Sequence, residues 1–326
     1  MRQAGRYDPE YRALRERYAL KEIFRQAEVC AAIVLQPVRR LGVDAAVLFA
    51  DITLPFIGMG VAFEFRENVG PVLEAPLRDE TAVGNLRVFE PETHVPAILE
   101  AIRIVTREAQ VPLIGFAGGP FTLASYLIEG GPSRDFARTK AVMWSQPATW
   151  GLLMERLVES TIAYLRAQVA AGVHAVQLFD SWAGALGPED YREFVLPYTR
   201  RIFQALSPLG IPAIHFATGA SGILPLLVEA GGEVLGLDWR VPLDEAWRRV
   251  GFQVGVQGNL DPATLQAPSE VVAARAEDVL RRAGGRPGHI FNLGHGVLPE
   301  TPPETLRRLV EFVHDYRLAA REQAEA

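Results

Sequence analysis

An α/β fold of the (β/α)8 TIM-barrel type, distorted and spanning residues 1–326 as one domain, is what this sequence predicts. Three observations carry the reading. Short apolar runs rich in β-branched and aromatic residues alternate with longer amphipathic stretches, the pattern of a parallel sheet flanked by helices. Each run ends in a polar or glycine-rich loop, so one end of the sheet gathers useful chemistry, as the C-terminal face of a barrel does. No Gly-, Ser- and Pro-rich stretch divides the chain, and no internal repeat is visible.

The expected strands are Ala45–Phe49, Leu113–Phe116, Ala175–Phe179, Ala213–Phe216, Val234–Leu237, Gln253–Val256 and His289–Leu293. The groups that follow them are, in order, Asp51, Gly118-Gly119-Pro120, Asp180-Ser181-Trp182, Thr218-Gly219, Asp238-Trp239, Gly258-Asn259 and Gly294-His295-Gly296. No G-x-G-x-x-G follows the first run, which disfavours a dinucleotide-binding doubly wound sheet. Between strands, Trp150–Ala171 is apolar at helical spacing and stops at Gly172. Ser269 is placed to cap a helix through Arg282, which Gly284 and Gly285 end. Thr301-Pro302-Pro303-Glu304 reads as a capping box opening a last helix to about Glu322. Seven strands are one short of a closed barrel. The reading places the missing first strand ahead of Met1, with Met1-Arg2 as its last residues and Arg2 on the catalytic face.

Composition narrows the function classes. With 49% apolar residues and 22% charged ones, a chain of this length buries a core without disulfides or structural metal. Cys30 is the only cysteine, which excludes a disulfide framework, an iron–sulfur cluster and a multi-cysteine zinc site, and fits a reducing cytoplasm. A net charge of −6 and a pI near 5.6 argue against a nucleic-acid partner. No signal sequence opens the chain. Ala45 to Phe63 is nearly long and apolar enough for a membrane span, but Asp51, Pro55, Gly58 and Gly60 interrupt it. It is expected as a buried strand leading into a loop, with no membrane partner.

Several residues are candidates for chemistry. Arg2, Arg6, Arg12, Arg15 and Arg17 crowd the start, offset by Asp8, Glu10 and Glu16. Guanidinium groups around Gly5 suit carboxylates or phosphates, since each fork holds two oxygens; the plain alternative is a solvated arginine-rich helix. Asp51 closes an apolar strand, where a carboxylate must find partners or shift its pKa. Gly115 to Thr122 reads as strand, tight turn and helix, and the first N–H groups of such a helix can receive an anion. Tyr126, on the same helix, reads more readily as a satisfied core residue. Ser181 has no G-x-S-x-G elbow around it, which disfavours a nucleophilic role. His295, between two glycines, suits a ligand contact or a structural hydrogen bond. The remaining histidines show no ligand spacing, so no metal is expected.

Together these segments resemble the uroporphyrinogen decarboxylase family of haem biosynthesis. The resemblance rests on Met1 to Tyr7 (MRQAGRY), Leu35-Gln36-Pro37, Phe49-Ala50-Asp51-Ile52 and Gly115 to Leu123, followed by Tyr126 to Gly130. It continues through Gln177 to Gly184, Gly236 to Trp239, Gln257 to Pro262 and Asn292 to Gly296. Its clearest departure from the family is ahead of Met1, where the family normally has more chain and its first barrel strand. The resemblance implies a cytoplasmic homodimer, free of metal and cofactor, acting on uroporphyrinogen III. Its four acetates would leave as four CO2, giving coproporphyrinogen III. Asp51 would face the macrocycle centre as the catalytic carboxylate. Arg2 would bind carboxylates and supply the proton. Gln3, Ala4, Gly5, Arg6, Arg15, Tyr126, Ser181 and His295 would contact substrate, and apolar groups including Phe179 would keep it dry.

Two other readings stand beside this one. Cobalamin-dependent methyltransferases of the same superfamily bind zinc through histidine and cysteines, which a lone Cys30 serves poorly. A non-catalytic tetrapyrrole carrier would gain little from an anion such as Asp51 poised for a cation.

Overall fold

The computed structural model describes residues 3–67 and 69–316. Arg2, with the roles expected of it, lies outside the described residues. The strands are β1 (Ala46–Val47), β2 (Phe63–Arg66), β3 (Gly70–Leu73), β4 (Leu113–Gly118), β5 (Ala175–Phe179), β6 (Ala213–Phe216), β7 (Val234–Gly236), β8 (Gly255–Leu260) and β9 (His289–Leu293). Seven of them form one parallel sheet in the order β1-β4-β5-β6-β7-β8-β9. Helices connect successive strands, and the buried apolar residues form a single cluster from Ala4 to Leu309. This is the expected α/β barrel architecture, curled rather than closed among the described residues.

The details correct several expectations. The sixth barrel strand begins at Gly255, not Gln253, and runs on to Leu260. A separate antiparallel hairpin, β2 with β3, follows Asp51 where only a loop was expected. Phe63-Glu64-Phe65-Arg66 has the alternation of a half-buried strand, with Phe63 inward and Arg66 exposed. The helix Pro147–Ala171 starts one turn earlier than its apolar spacing indicated and ends at Gly172, whose φ of 115° suits glycine. Neither expected N-cap forms. The helix Ser269–Ala283 is entered from Pro268, and Pro303–Asp315 from Pro302. Proline already fixes an extended entry there, so Thr301 is left to accept from Gln266 Nε2 at 3.3 Å.

The ends of the sheet do not meet among the described residues. Between β1 and β9 lies an apolar cleft of about 470 Å³, walled by Ile114, Phe291, Leu306, Leu309 and Val313. On its β1 side the Gln3 side chain occupies the unpaired border. Its Nε2 donates to Ala45 O at 2.8 Å, and its Oε1 accepts from Val47 N at 3.1 Å.

Close helix–sheet contact is set by small residues. Gly115 leaves room for Gln168, whose amide accepts from Phe116 N at 2.9 Å and donates to Phe116 O at 2.8 Å. A Cβ at Gly115 would stand 2.4 Å from the Gln168 oxygen. The helix Pro147–Ala171 is thereby clamped to β4.

His215 on β6 is fully buried, and its Nδ1 lies 3.1 Å from Leu227 O, which makes Nδ1 the protonated nitrogen. Burial pulls its pKa down to about 4. An unfolded chain takes up this proton near pH 6.5, whereas the native state resists until about 4. Stability from this group is therefore complete above pH 6.5 and is lost as pH falls through that window, by about 3 kcal/mol. In urea titrations, wild type should lose this much relative to His215→Gln between pH 7 and pH 4. Parallel pH profiles would rule the assignment out.

Candidate active site

The C-terminal ends of the strands and the N-terminal segment converge on a cavity of about 310 Å³, within the range of small-molecule sites. Its floor is aromatic. Phe116, Phe179 and Phe216, from the neighbouring strands β4, β5 and β6, meet edge to face with centroids 5.3 and 5.7 Å apart. The polar rim comes from scattered parts of the chain. Gln3 and Ala4 enter from the N-terminal segment, Asp51 from the loop after β1, Ser181 from the loop after β5 and His295 from the loop after β9. Tyr126 comes from the helix Pro120–Glu129. Six of the residues expected to contact substrate therefore line one cavity. The cleft between β1 and β9 is larger, but it lies away from Asp51 and shares only Gln3 and Val47 with this site.

Asp51 is half-buried and locally held. Its Oδ1 accepts from Thr53 N at 2.9 Å and from Thr53 Oγ1 at 2.6 Å, fixing the carboxylate in a tight Asx-type turn. Its charge reaches Tyr126, whose phenol is pushed up chiefly by burial and further by Asp51. Tyr126 stacks on Trp182 with centroids 4.3 Å apart, so it forms a wall of the cavity rather than a piece of core.

The remaining expected groups stand elsewhere. The first N–H groups of the helix Pro120–Glu129 do not await a ligand. Asp180, fully buried, already caps them, with its Oδ1 accepting from Thr122 N at 2.8 Å and from Thr122 Oγ1 at 2.7 Å. Burial raises the Asp180 carboxyl to about 6 against these hydrogen bonds. The sequence reading placed Asp180 at a strand end but gave it no role. Its signal was the one used for Asp51, a carboxylate ending an apolar strand. Gly5, Arg6 and Arg15 do not line the cavity. Arg6 is exposed, and Arg15 donates to Tyr18 O at 2.9 Å. Among the described residues, His295 is the one cavity-lining side chain able to carry positive charge.

Cys30 is buried in the helix Ala27–Leu41, its Sγ 3.1 Å from Ile23 O, and burial pushes its thiol up to about 12. Such a thiol neither attacks nor ligates readily. Among the described residues no three of His, Cys, Asp and Glu stand together as a metal-holding group. No described helix is long and apolar enough to cross a membrane.

A family model described as uroporphyrinogen decarboxylase matches residues 1–316. The chain belongs to that family. A uroporphyrinogen decarboxylase of Carboxydothermus hydrogenoformans is 53% identical over 325 residues, covering 99% of this chain and 93% of its own. That of Thermus thermophilus is 56% identical over 315 residues, covering 97% and 92%. Among solved structures, a methyltransferase from Methanosarcina mazei superposes with a TM-score of 0.74 at 21% identity, covering 94% of this chain and 88% of its own. A B12-independent methionine synthase from Shewanella sp. gives 0.61 at 14% identity, covering 95% and 92%. At such identities these two attest the barrel fold alone. In the uroporphyrinogen decarboxylase family the cavity's combination of aromatic floor, single carboxylate and hydrogen-bonding rim acquires a chemical context.

Proposed function

We propose that the cavity around Asp51 is where this uroporphyrinogen decarboxylase holds its macrocycle and removes the acetate carboxylates. The activity is conversion of uroporphyrinogen III to coproporphyrinogen III with release of four CO2. The observation that carries the site is the meeting of Asp51 with Tyr126, Ser181 and His295 on one aromatic floor.

The chemistry follows from charge. When an acetate on an electron-rich pyrrole loses CO2, the electron pair of the broken C–C bond needs a sink. Protonating the ring carbon beside the acetate makes the pyrrole cationic and supplies one. The pair then forms an exocyclic double bond and CO2 leaves. A proton added at the exocyclic carbon, with loss of the ring proton, leaves a methyl group. For each acetate the net change is one proton gained and one CO2 lost, so no electron acceptor is required. Asp51 would accept the pyrrole N–H hydrogen bonds and stabilise the cation as it forms. The aromatic floor limits water, which strengthens that interaction. Tyr126, Ser181 and His295 would hydrogen-bond substrate carboxylates. Gln3, Ala4 and Gly5 would shape the backbone beside the ligand, while Arg2, Arg6 and Arg15 would add positive charge for its eight carboxylates. We assign Arg2 the proton-donor role only as part of this proposal, since a guanidinium releases its proton reluctantly.

We extend the reading to a homodimer in the cytoplasm on family membership. Anaerobic incubation with uroporphyrinogen III, followed by chromatographic counting of product carboxylates, tests the activity. Stepwise loss from eight carboxylates to four is expected. Binding without loss would favour a tetrapyrrole carrier instead.

A further inference from the structure

We infer that Asp180 is a positioning residue for this reaction, tying the helix that carries Tyr126 to the loop that carries Ser181 and Trp182. The inference rests on the functional reading above, because it assigns those groups to substrate binding. Asp180 does not line the cavity. It follows β5 directly, and its backbone is fixed on both sides. Its N–H donates to Phe216 O at 2.9 Å, and its carbonyl accepts from Ala183 N at 3.0 Å.

From that fixed point the side chain reaches across to the helix. Oδ1 takes both donors of Thr122, and Thr122 Oγ1 in turn accepts from Trp182 N at 3.1 Å. The circuit therefore leaves the loop at Asp180, passes through Thr122 and returns to the loop at Trp182. Tyr126 stands four residues after Thr122 on the same helical face. Its ring rests on Trp182, and Ser181 lies between the circuit's two loop members. One oxygen makes the whole connection, since Asp180 Oδ2 is buried with no hydrogen-bond partner among the described residues.

Gly119 makes the approach possible. A Cβ there would stand 2.3 Å from the Asp180 Cβ and 2.7 Å from its Cα. The strand-to-helix turn is thus closed down onto the carboxylate, and Gly119 N–H bonds Phe179 O at 2.8 Å alongside it. A buried acid whose carboxyl accepts from Thr122 on a wall of the site, and which is followed in the chain by Ser181 and Trp182 of the rim, serves alignment more than general stability.

Steady-state kinetics and a double-mutant cycle test this. Asp180→Ala should raise KM by about tenfold and lower kcat by less than about threefold, the pattern of lost substrate binding. Asp180→Asn, which keeps the accepting oxygen, should restore most of that affinity. In a Tyr126→Phe background, Asp180→Ala should cost less than it does alone, because the groups act as a unit. A crystal structure of Asp180→Ala should show the Tyr126 and Trp182 rings further apart than 4.3 Å. An unchanged KM with a reduced active fraction, or strictly additive costs with the ring stack intact, would overturn the assignment. If Asp180→Ala does not fold, Thr122→Val interrupts the same circuit and carries the same expectations. If wild type leaves uroporphyrinogen untouched, the functional reading fails, and the ring geometry decides the positioning role by itself.

Discussion

Asp51→Asn should fold normally and lose about 10²- to 10³-fold in turnover of uroporphyrinogen. The substitution is chosen because the amide oxygen can still accept from Thr53 N and Thr53 Oγ1, the two contacts that hold the carboxylate in its turn. Local geometry is then kept while the negative charge is removed. If Asp51 stabilises a cationic pyrrole, the loss falls on kcat as well as kcat/KM, because the charge interaction strengthens only as the cation develops. Asp51→Ala should lose at least as much activity, but it also releases Thr53, so its thermal midpoint should drop where that of Asp51→Asn barely moves. Retention of near-normal kcat by the asparagine variant would remove the electrostatic mechanism and leave Asp51 a loop-shaping residue.

Gly184→Ala should be among the most destabilising single-methyl additions near the site, by about 2–3 kcal/mol. An added Cβ would lie 2.0 Å from Thr218 O, 2.6 Å from Gly219 C and 2.8 Å from Gly219 O. All three are backbone atoms, so no side chain can rotate away to make room. The loop after β5 would have to separate from the loop after β6. Thr218 secures that junction by donating its N–H at 3.2 Å and its Oγ1 at 2.5 Å to Ser181 O. Separation would therefore displace Ser181 from the cavity rim, coupling the stability loss to weaker substrate binding. Thermal unfolding followed by circular dichroism measures the first effect and KM the second. A midpoint within a degree of wild type would contradict the close approach.

The barrel was legible because β4, β5 and β6 are short, largely apolar runs, broken in β5 and β6 by the single polar residues Gln177 and His215. Burial on both faces demands such runs in a parallel sheet. Asp51 stood out by the same contrast, as one charge at the end of such a run. The β2–β3 hairpin was hidden because Phe63 fell at the end of a longer apolar window, so its alternation with Glu64, Phe65 and Arg66 was read as the tail of something else. The sixth strand slipped because Gln257, Gly258 and Asn259 are poor strand formers, and long-range pairing, of all three with β9 and of Gln257 with Gly236 of β7, makes them one. Asp180 was placed at a strand end without a role because what it caps, Thr122, lies 58 residues away, a distance no local pattern spans. Arg6 and Arg15 were singled out by charge and by family resemblance, and neither says which way a guanidinium points in this chain.

Gln3 belongs at once to the hem of the sheet and to the rim of the cavity. At the hem its amide imitates the peptide group of a paired strand, giving one hydrogen to Ala45 and taking one from Val47. A side chain that substitutes for main chain is tethered at a single Cα, so it frays more easily than a strand joined at every second residue. Gln3 thereby joins this border directly to the cavity rim. On the proposed function, substrate binding and the integrity of one margin of the sheet would share a single glutamine.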